Sequence, residues 1–370
     1  MLRKLLSAAA VAMLAGCAGA SSGDTIRIGF LGPLTGDVAG LGSDGLNGVV
    51  MAVEKINAAG GIAGKQVELL AEDGRCAGAD AASAAQKLVN VDGVVAIIGG
   101  MCSGETLAVA PIVEAAKVVL LSPTSSSPDV TQAGDFVFRN YPSDALKTTA
   151  MAAYFAEKGW SKIAIISENT DFSQGFRTSL VAKLPQGAVV FDEVVEPGTK
   201  DFRTLMTRLK DMEFDVFIPN GNSDSVIGPM LQQLREAGLT QVAVAHDAAD
   251  SVTMAKDLPE ATEGLQVINV SSDVRDASFA DAFRAAHGEP KYGVTFAGYG
   301  YDAANVLFAA FAGGAMDGEA VRTYLNAVEG YEGVVGTFSF DENGDVVGIP
   351  YVLKEFKNGA IVTVGDIALD

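Results

Sequence analysis

Strand-like and helix-like segments alternate along this chain in two successive series, and that alternation restricts the fold more than any other feature of the sequence. The first series runs strand 25–30 (TIRIGF), helix 43–58, strand 66–72, helix 79–90, strand 94–98, helix 103–116 and strand 118–122. The strand segments are short runs rich in Val, Ile and Leu, whereas the helix segments carry apolar residues at three- and four-residue spacing. Past 141 the series restarts with helix 145–158, strand 162–167, helix 173–184, strand 189–195, helix 201–212, strand 216–219, helix 225–237 and strand 241–245. Strands joined through helices lie parallel, and a parallel sheet has to be covered on both faces. The expected fold class is α/β, with two doubly wound parallel-sheet lobes joined by a hinge. Helices 277–287, 295–312 and 318–327, with a hairpin around 341–345, have to return to one of these lobes.

The N-terminus is of a different kind. Arg3 and Lys4 precede an apolar run that ends at Leu14. About ten residues cannot span ~30 Å of hydrocarbon, which takes ~20. The layout is that of a secretory signal peptide over residues 1–16. The run closes on Leu14, Ala15, Gly16 and Cys17, which resembles the lipobox of bacterial lipoproteins. Cys17 is thus the expected lipidation site, and 17–24 a tether holding the protein to a membrane, in the periplasm or at the cell surface. Cys76 and Cys102 then remain, and in an oxidising compartment a disulfide between them is the expectation. A zinc site is the alternative, but two distant cysteines with only His246 and His287 elsewhere lack its close ligand spacing. A formal charge of −20 argues against nucleic acid or an anionic lipid surface as a partner.

Several motifs fail on their surroundings. Gly40, Gly42 and Gly45 satisfy GxGxxG, with Asp73 at the end of the second strand, but a loop of about ten residues separates the first strand from the glycines. They are expected in a long turn. The run 60–66 (GGIAGKQ) leads from helix to strand, the reverse of a phosphate loop, and is read as a helix stop and turn. Asp341, Asn343 and Asp345 begin like a calcium loop, but Val346 and Val352 replace its Gly and bidentate Glu, so a hairpin turn at Asn343-Gly344 is expected. The two histidines offer few bases for nucleophilic catalysis. No enzymatic activity, cofactor or metal is expected.

Polar residues remain where doubly wound sheets place ligands, at the C-terminal ends of strands. Ser103 opens a helix there, so its hydroxyl and the first free amides suit an anion. Thr124, Ser125, Ser126 and Ser127 follow the next strand, and Asp247 follows a strand of the second lobe beside His246. Donors on one lobe and a carboxylate on the other suit the two ends of an α-amino acid.

The opening 26–76, above all INAAGGIAGKQVELL and the ED after it, resembles the periplasmic binding proteins of the branched-chain amino acid class, the type I receptors of ABC importers. The similarity runs from about Ile26 to the C-terminus. The resemblance implies a Cys76–Cys102 disulfide, a ligand carboxylate held by Ser103 and Ser126, and an ammonium received by the Thr124 carbonyl and Asp247. It implies a pocket wall of Leu41, Phe172, Asn222 and Phe296, where relatives often have tyrosines. It further implies a first lobe of 25–141 plus 272–348, a second of 142–271 plus 349–370, and a membrane permease as partner. Receptors for amides, urea or aromatic carboxylates, and a sensory ligand-binding role, are the alternatives in the same family.

Overall fold

The computed structural model of the protein describes residues 25–270 and 276–367. The expected signal peptide, Cys17, the tether and the lobe junction at 271/272 lie outside them. Strands β1 (Ile26–Gly32), β2 (Val67–Asp73), β3 (Ala96–Gly99), β4 (Val119–Ser122) and β5 (Val137–Arg139) form a parallel sheet in the order β2-β1-β3-β4-β5. Helices α1 (Ala39–Ala58), α2 (Gly78–Lys87) and α3 (Ser103–Ala116) connect them. Ile26, Ile28 and Phe30 bury one face against Val49, Ala52 and Ala304, while Leu31, Ile97 and Leu120 bury the other against Ala81, Ala85 and Val109. A strand buried on both faces gains ~1.5–3 kcal/mol per large apolar side chain, which is why these segments read as continuous apolar runs.

The chain then crosses to a second lobe and repeats the arrangement. Helix α4 (Asp144–Lys158) leads into β6 (Ile163–Glu168), α5 (Asp171–Val181), β7 (Val189–Val195), α6 (Arg203–Lys210) and β8 (Val216–Asn220). There follow α7 (Asp224–Glu236), β9 (Val242–Ala245), α8 (Val252–Asp257), α9 (Pro259–Thr262) and β10 (Gln266–Val270). The parallel strands lie in the order β7-β6-β8-β9-β10, the topology of the first lobe over again. A second crossing returns the chain to the first lobe with α10 (Ala277–His287), α11 (Val294–Ala312), α12 (Gly318–Asn326) and a small sheet of β11 (Tyr331–Glu332), β12 (Thr337–Phe340) and β13 (Val346–Val347). A third crossing brings β14 (Tyr351–Lys357) and β15 (Ala360–Ile367) antiparallel onto the free edge of β10. The α/β class with two doubly wound sheets is thus the fold the chain adopts.

The glycines of the dinucleotide-like motif lie in α1, not in a long turn, because that helix begins at Ala39. Glycine along this helix permits close packing. A Cβ on Gly42 would sit 2.0 Å from the Pro33 carbonyl oxygen, and one on Gly48 would sit 1.9 Å from that of Ala297. Helix α1 therefore runs hard against both the loop after β1 and helix α11. The Asp341–Asp345 segment is a turn, with Asn343 and Asp345 N–H groups donating to Asp341 Oδ1, each at 2.9 Å. Among the described residues no cluster of His, Cys, Asp and Glu suits a metal ion, and no helix is long and apolar enough to cross a membrane.

Candidate functional site

A cavity lies between the two sheets, at the C-terminal ends of their strands. The first lobe lines it with Val38 and Leu41 after β1, with Met101, Cys102 and Ser103 after β3, with Thr124 after β4, and with Tyr292 and Phe296 at the start of α11. The second lobe contributes Phe172 after β6, Asn222 after β8, and Asp247 and Ala248 after β9. Seven of the eight residues expected to meet a ligand are brought together here: Leu41, Ser103, Thr124, Phe172, Asn222, Asp247 and Phe296.

Ser126 is not among them. It is 1% exposed, its Oγ donates to Asp144 Oδ2 at 2.9 Å, and its carbonyl accepts the Asp144 N–H at 2.7 Å. Asp144 opens α4 in full burial, and a buried carboxylate must be met by donors. Ser126 meets that need, so its hydroxyl is engaged at the lobe crossing instead of facing the cavity.

Ser103 has the opposite disposition. Its Oγ accepts the Ser127 N–H at 3.1 Å, which leaves its O–H to donate. It is the first residue of α3, whose opening amides have no intrahelical acceptor and carry the positive end of the helix dipole. Thr124 Oγ1 donates to the Met101 carbonyl, tying the two first-lobe loops together. Cys76 and Cys102 form a disulfide. Glu105 holds it in place, accepting the N–H of Cys76 at 2.9 Å and of Cys102 at 3.0 Å. Burial pushes the Glu105 carboxyl up to about 7 in spite of these donors.

Across the cavity, Asp247 is paired with Lys147, a fully buried ammonium that also bonds Asp144 at 2.7 Å. Burial alone would raise Asp247, but Lys147 holds it below the ordinary carboxylate range. Burial raises Asp144 to about 6, with Lys147 only partly offsetting the effect. His246, wholly buried, bonds Asn220 Oδ1 through Nε2 at 2.9 Å and packs edge-on against Phe172 and Phe176. Burial lowers it to about 4, so the ring is neutral and serves as a wedge behind Phe172.

The lobes touch around the cavity. Asn222 Nδ2 reaches Cys76 Sγ at 3.5 Å, Tyr292 Oη donates to Asp224 Oδ1 at 3.3 Å, and Lys200 lies 3.9 Å from Asp37. A Cβ on Gly104 of α3 would lie 2.6 Å from Asp171, and one on Gly175 of α5 would lie 2.3 Å from Ser127. The described state is therefore closed. Tyr292, Met101 and Lys147 escape sequence reasoning, since no spacing or motif marks an aromatic at a helix start or a lysine inside a helix as parts of a site.

A sequence profile of the periplasmic binding protein family matches residues 25–360. A leucine-, isoleucine-, valine-, threonine- and alanine-binding protein of Pseudomonas aeruginosa is 29% identical over 98% of this chain and 97% of its own length. Among solved structures, a leucine-binding protein of Thermotoga maritima superposes with a TM-score of 0.85 at 27% identity, covering 93% of this chain and 99% of its own. A branched-chain amino acid transporter substrate-binding protein of Streptococcus pneumoniae, in complex with isoleucine, superposes with a TM-score of 0.81 at 29% identity, over 92% and 99%.

Proposed function

This chain belongs to the periplasmic binding protein family, and on that footing we propose that it is the solute receptor of an ABC importer, capturing an α-amino acid between its lobes. It is a binding protein and not an enzyme. The ligand carboxylate meets the Ser103 hydroxyl and the first amides of α3, and the ammonium meets Asp247 with the Thr124 carbonyl nearby. Leu41, Phe172, Asn222 and Phe296 surround the side chain. The observation that carries this reading is the opposition of anion-binding donors on one lobe to a carboxylate on the other, across one closed cavity. Closure removes water, so each charge-assisted bond strengthens as the lobes meet.

The lobes are taken as 25–141 plus 272–348 and 142–271 plus 349–370, moving as two bodies about the crossings. A lipid on Cys17 holds the receptor at the membrane, and the closed form docks on the permease. Amino-acid binding by the relatives named above supports the ligand class.

A thermal-shift panel of L-amino acids, amides, urea, aromatic carboxylates and NAD tests the reading. One or more amino acids should raise the melting temperature, and isothermal titration should give one site per chain. Stabilisation by a carboxylate, an amide or NAD, with no amino acid active, would overturn it.

A further inference from the structure

Asp144 and Lys147 do not line the cavity, and both are wholly buried. Yet they are joined to the one acidic group that does. Lys147 lies between two carboxylates, bonding Asp144 Oδ1 at 2.7 Å and Asp247 Oδ1. Asp247 takes the Lys147 ammonium on Oδ1, and its side chain is 11% exposed, toward the cavity. Two carboxylates and one ammonium leave the cluster one negative charge in excess. In a buried setting such an excess acts over several ångströms, because the local dielectric is far below that of water.

Resting on the amino-acid reading above, we infer that Asp144 and Lys147 are specificity-determining positioning residues: through Asp247 they fix the charge of the cluster at minus one, so the site demands one positive charge from its ligand. The ligand's ammonium, donating to Asp247 Oδ2, makes the count two against two. A ligand with a carboxylate but no ammonium leaves the cluster uncompensated and adds a second negative charge beside it. Removing the Asp144 charge leaves a neutral Lys147–Asp247 pair and relaxes the demand. Removing the Lys147 charge takes away the cation that keeps the two buried carboxylates ionised, so the cluster takes up a proton instead of gaining charge.

The same logic runs through pH. Burial places Asp144 at about 6, and the groups facing it hold their charge between pH 5.5 and 7.5. Lys147 on its own helix and Tyr351 of β14 are both shifted upward, as is Tyr141 of the first crossing. Asp247 is shifted downward, Ser126 does not titrate, and His246 behind Asp247 stays neutral down to about 4. Protonation of Asp144 alone therefore takes the cluster from minus one to zero as pH falls.

The test measures, by isothermal titration at pH 7.5, the affinity ratio of each amino acid to its des-amino acid: L-leucine against 4-methylpentanoate and L-alanine against propanoate. In Asp144→Asn the preference for the amino acid should fall by about tenfold or more. In the wild type it should fall between pH 7.5 and 5.5, counting only the ionised acid. A purely structural role would weaken both ligands alike and leave the ratio where it was. If the wild type binds an amino acid but Asp144→Asn leaves the ratio unchanged or raises it, the inference is overturned and the amino-acid reading stands. If neither amino acid nor any other in the panel binds, both fall. Should that variant fail to fold, as judged by circular dichroism, the wild-type pH comparison decides: a ratio unchanged or rising toward pH 5.5 overturns the inference.

Discussion

Arg139 supports the cavity from behind without reaching it. Fully buried, it bonds Asp345 through Nε at 2.6 Å and Nη2 at 2.8 Å, and donates through Nη1 to the Ser127 carbonyl at 2.8 Å. One side chain thus clamps the loop after β4 to the turn that the sequence offers as a failed calcium motif. Arg139→Met takes the cation from Asp345, which keeps the Thr131 hydroxyl as a donor, and truncating one partner of a buried pair costs ~3–5 kcal/mol. Chemical denaturation should register a loss of that size, and a change below about 1 kcal/mol would show that the clamp is idle. Ser103 and Asp247 are legible in the sequence because strand ends in a doubly wound sheet are places where ligands sit. Ser126 is not, since the partner that claims its hydroxyl lies 18 residues further on. Lys147 meets Asp247 across 100 residues, and no local pattern encodes such a pairing.

Helices α3 and α5 come from different lobes and meet edge to edge, with glycine at the points of approach. A Cβ on Gly175 would lie 2.3 Å from Ser127 Oγ, so Gly175→Val should obstruct closure while leaving each lobe intact. Ligand affinity should fall by about tenfold or more, ~1.4 kcal/mol, with the unliganded melting temperature little changed. Undiminished affinity would mean that α5 has room to yield. Most helices and parallel strands are legible within a few residues because burial imposes their periodicity. Strands β5, β10, β11, β14 and β15 are missed. Most residues of β15 are exposed, so no core enforces an apolar pattern there. Its hairpin does carry a signal: Asn358 and Gly359 both have positive φ, +53° and +72°, the Asn-Gly pairing of a type I′ turn.

The molecule as a whole should be more stable in mild acid than in mild base. Burial pushes Asp44, Asp144 and Asp302 up to about 6 and Glu105 up to about 7. Each binds its proton more tightly folded than unfolded. The stability each contributes is fully present below the unfolded carboxyl value of about 4, and is lost as pH rises through 6 to 7. His246 opposes them: its folded value is lowered to about 4, so stability is lost as pH falls from about 6.5. Four groups outweigh one, and the melting temperature at pH 5.5 should exceed that at pH 8; equal or reversed values would contradict the burial of these carboxyls. The three crossings between the sheets bear on how such a chain comes into being. Because the path is interleaved, the first sheet's partners α11 and α12 arrive only after the second sheet's parallel strands, and β14 and β15 come later still. A chain emerging from its N-terminus therefore holds no finished lobe until nearly all of it has appeared.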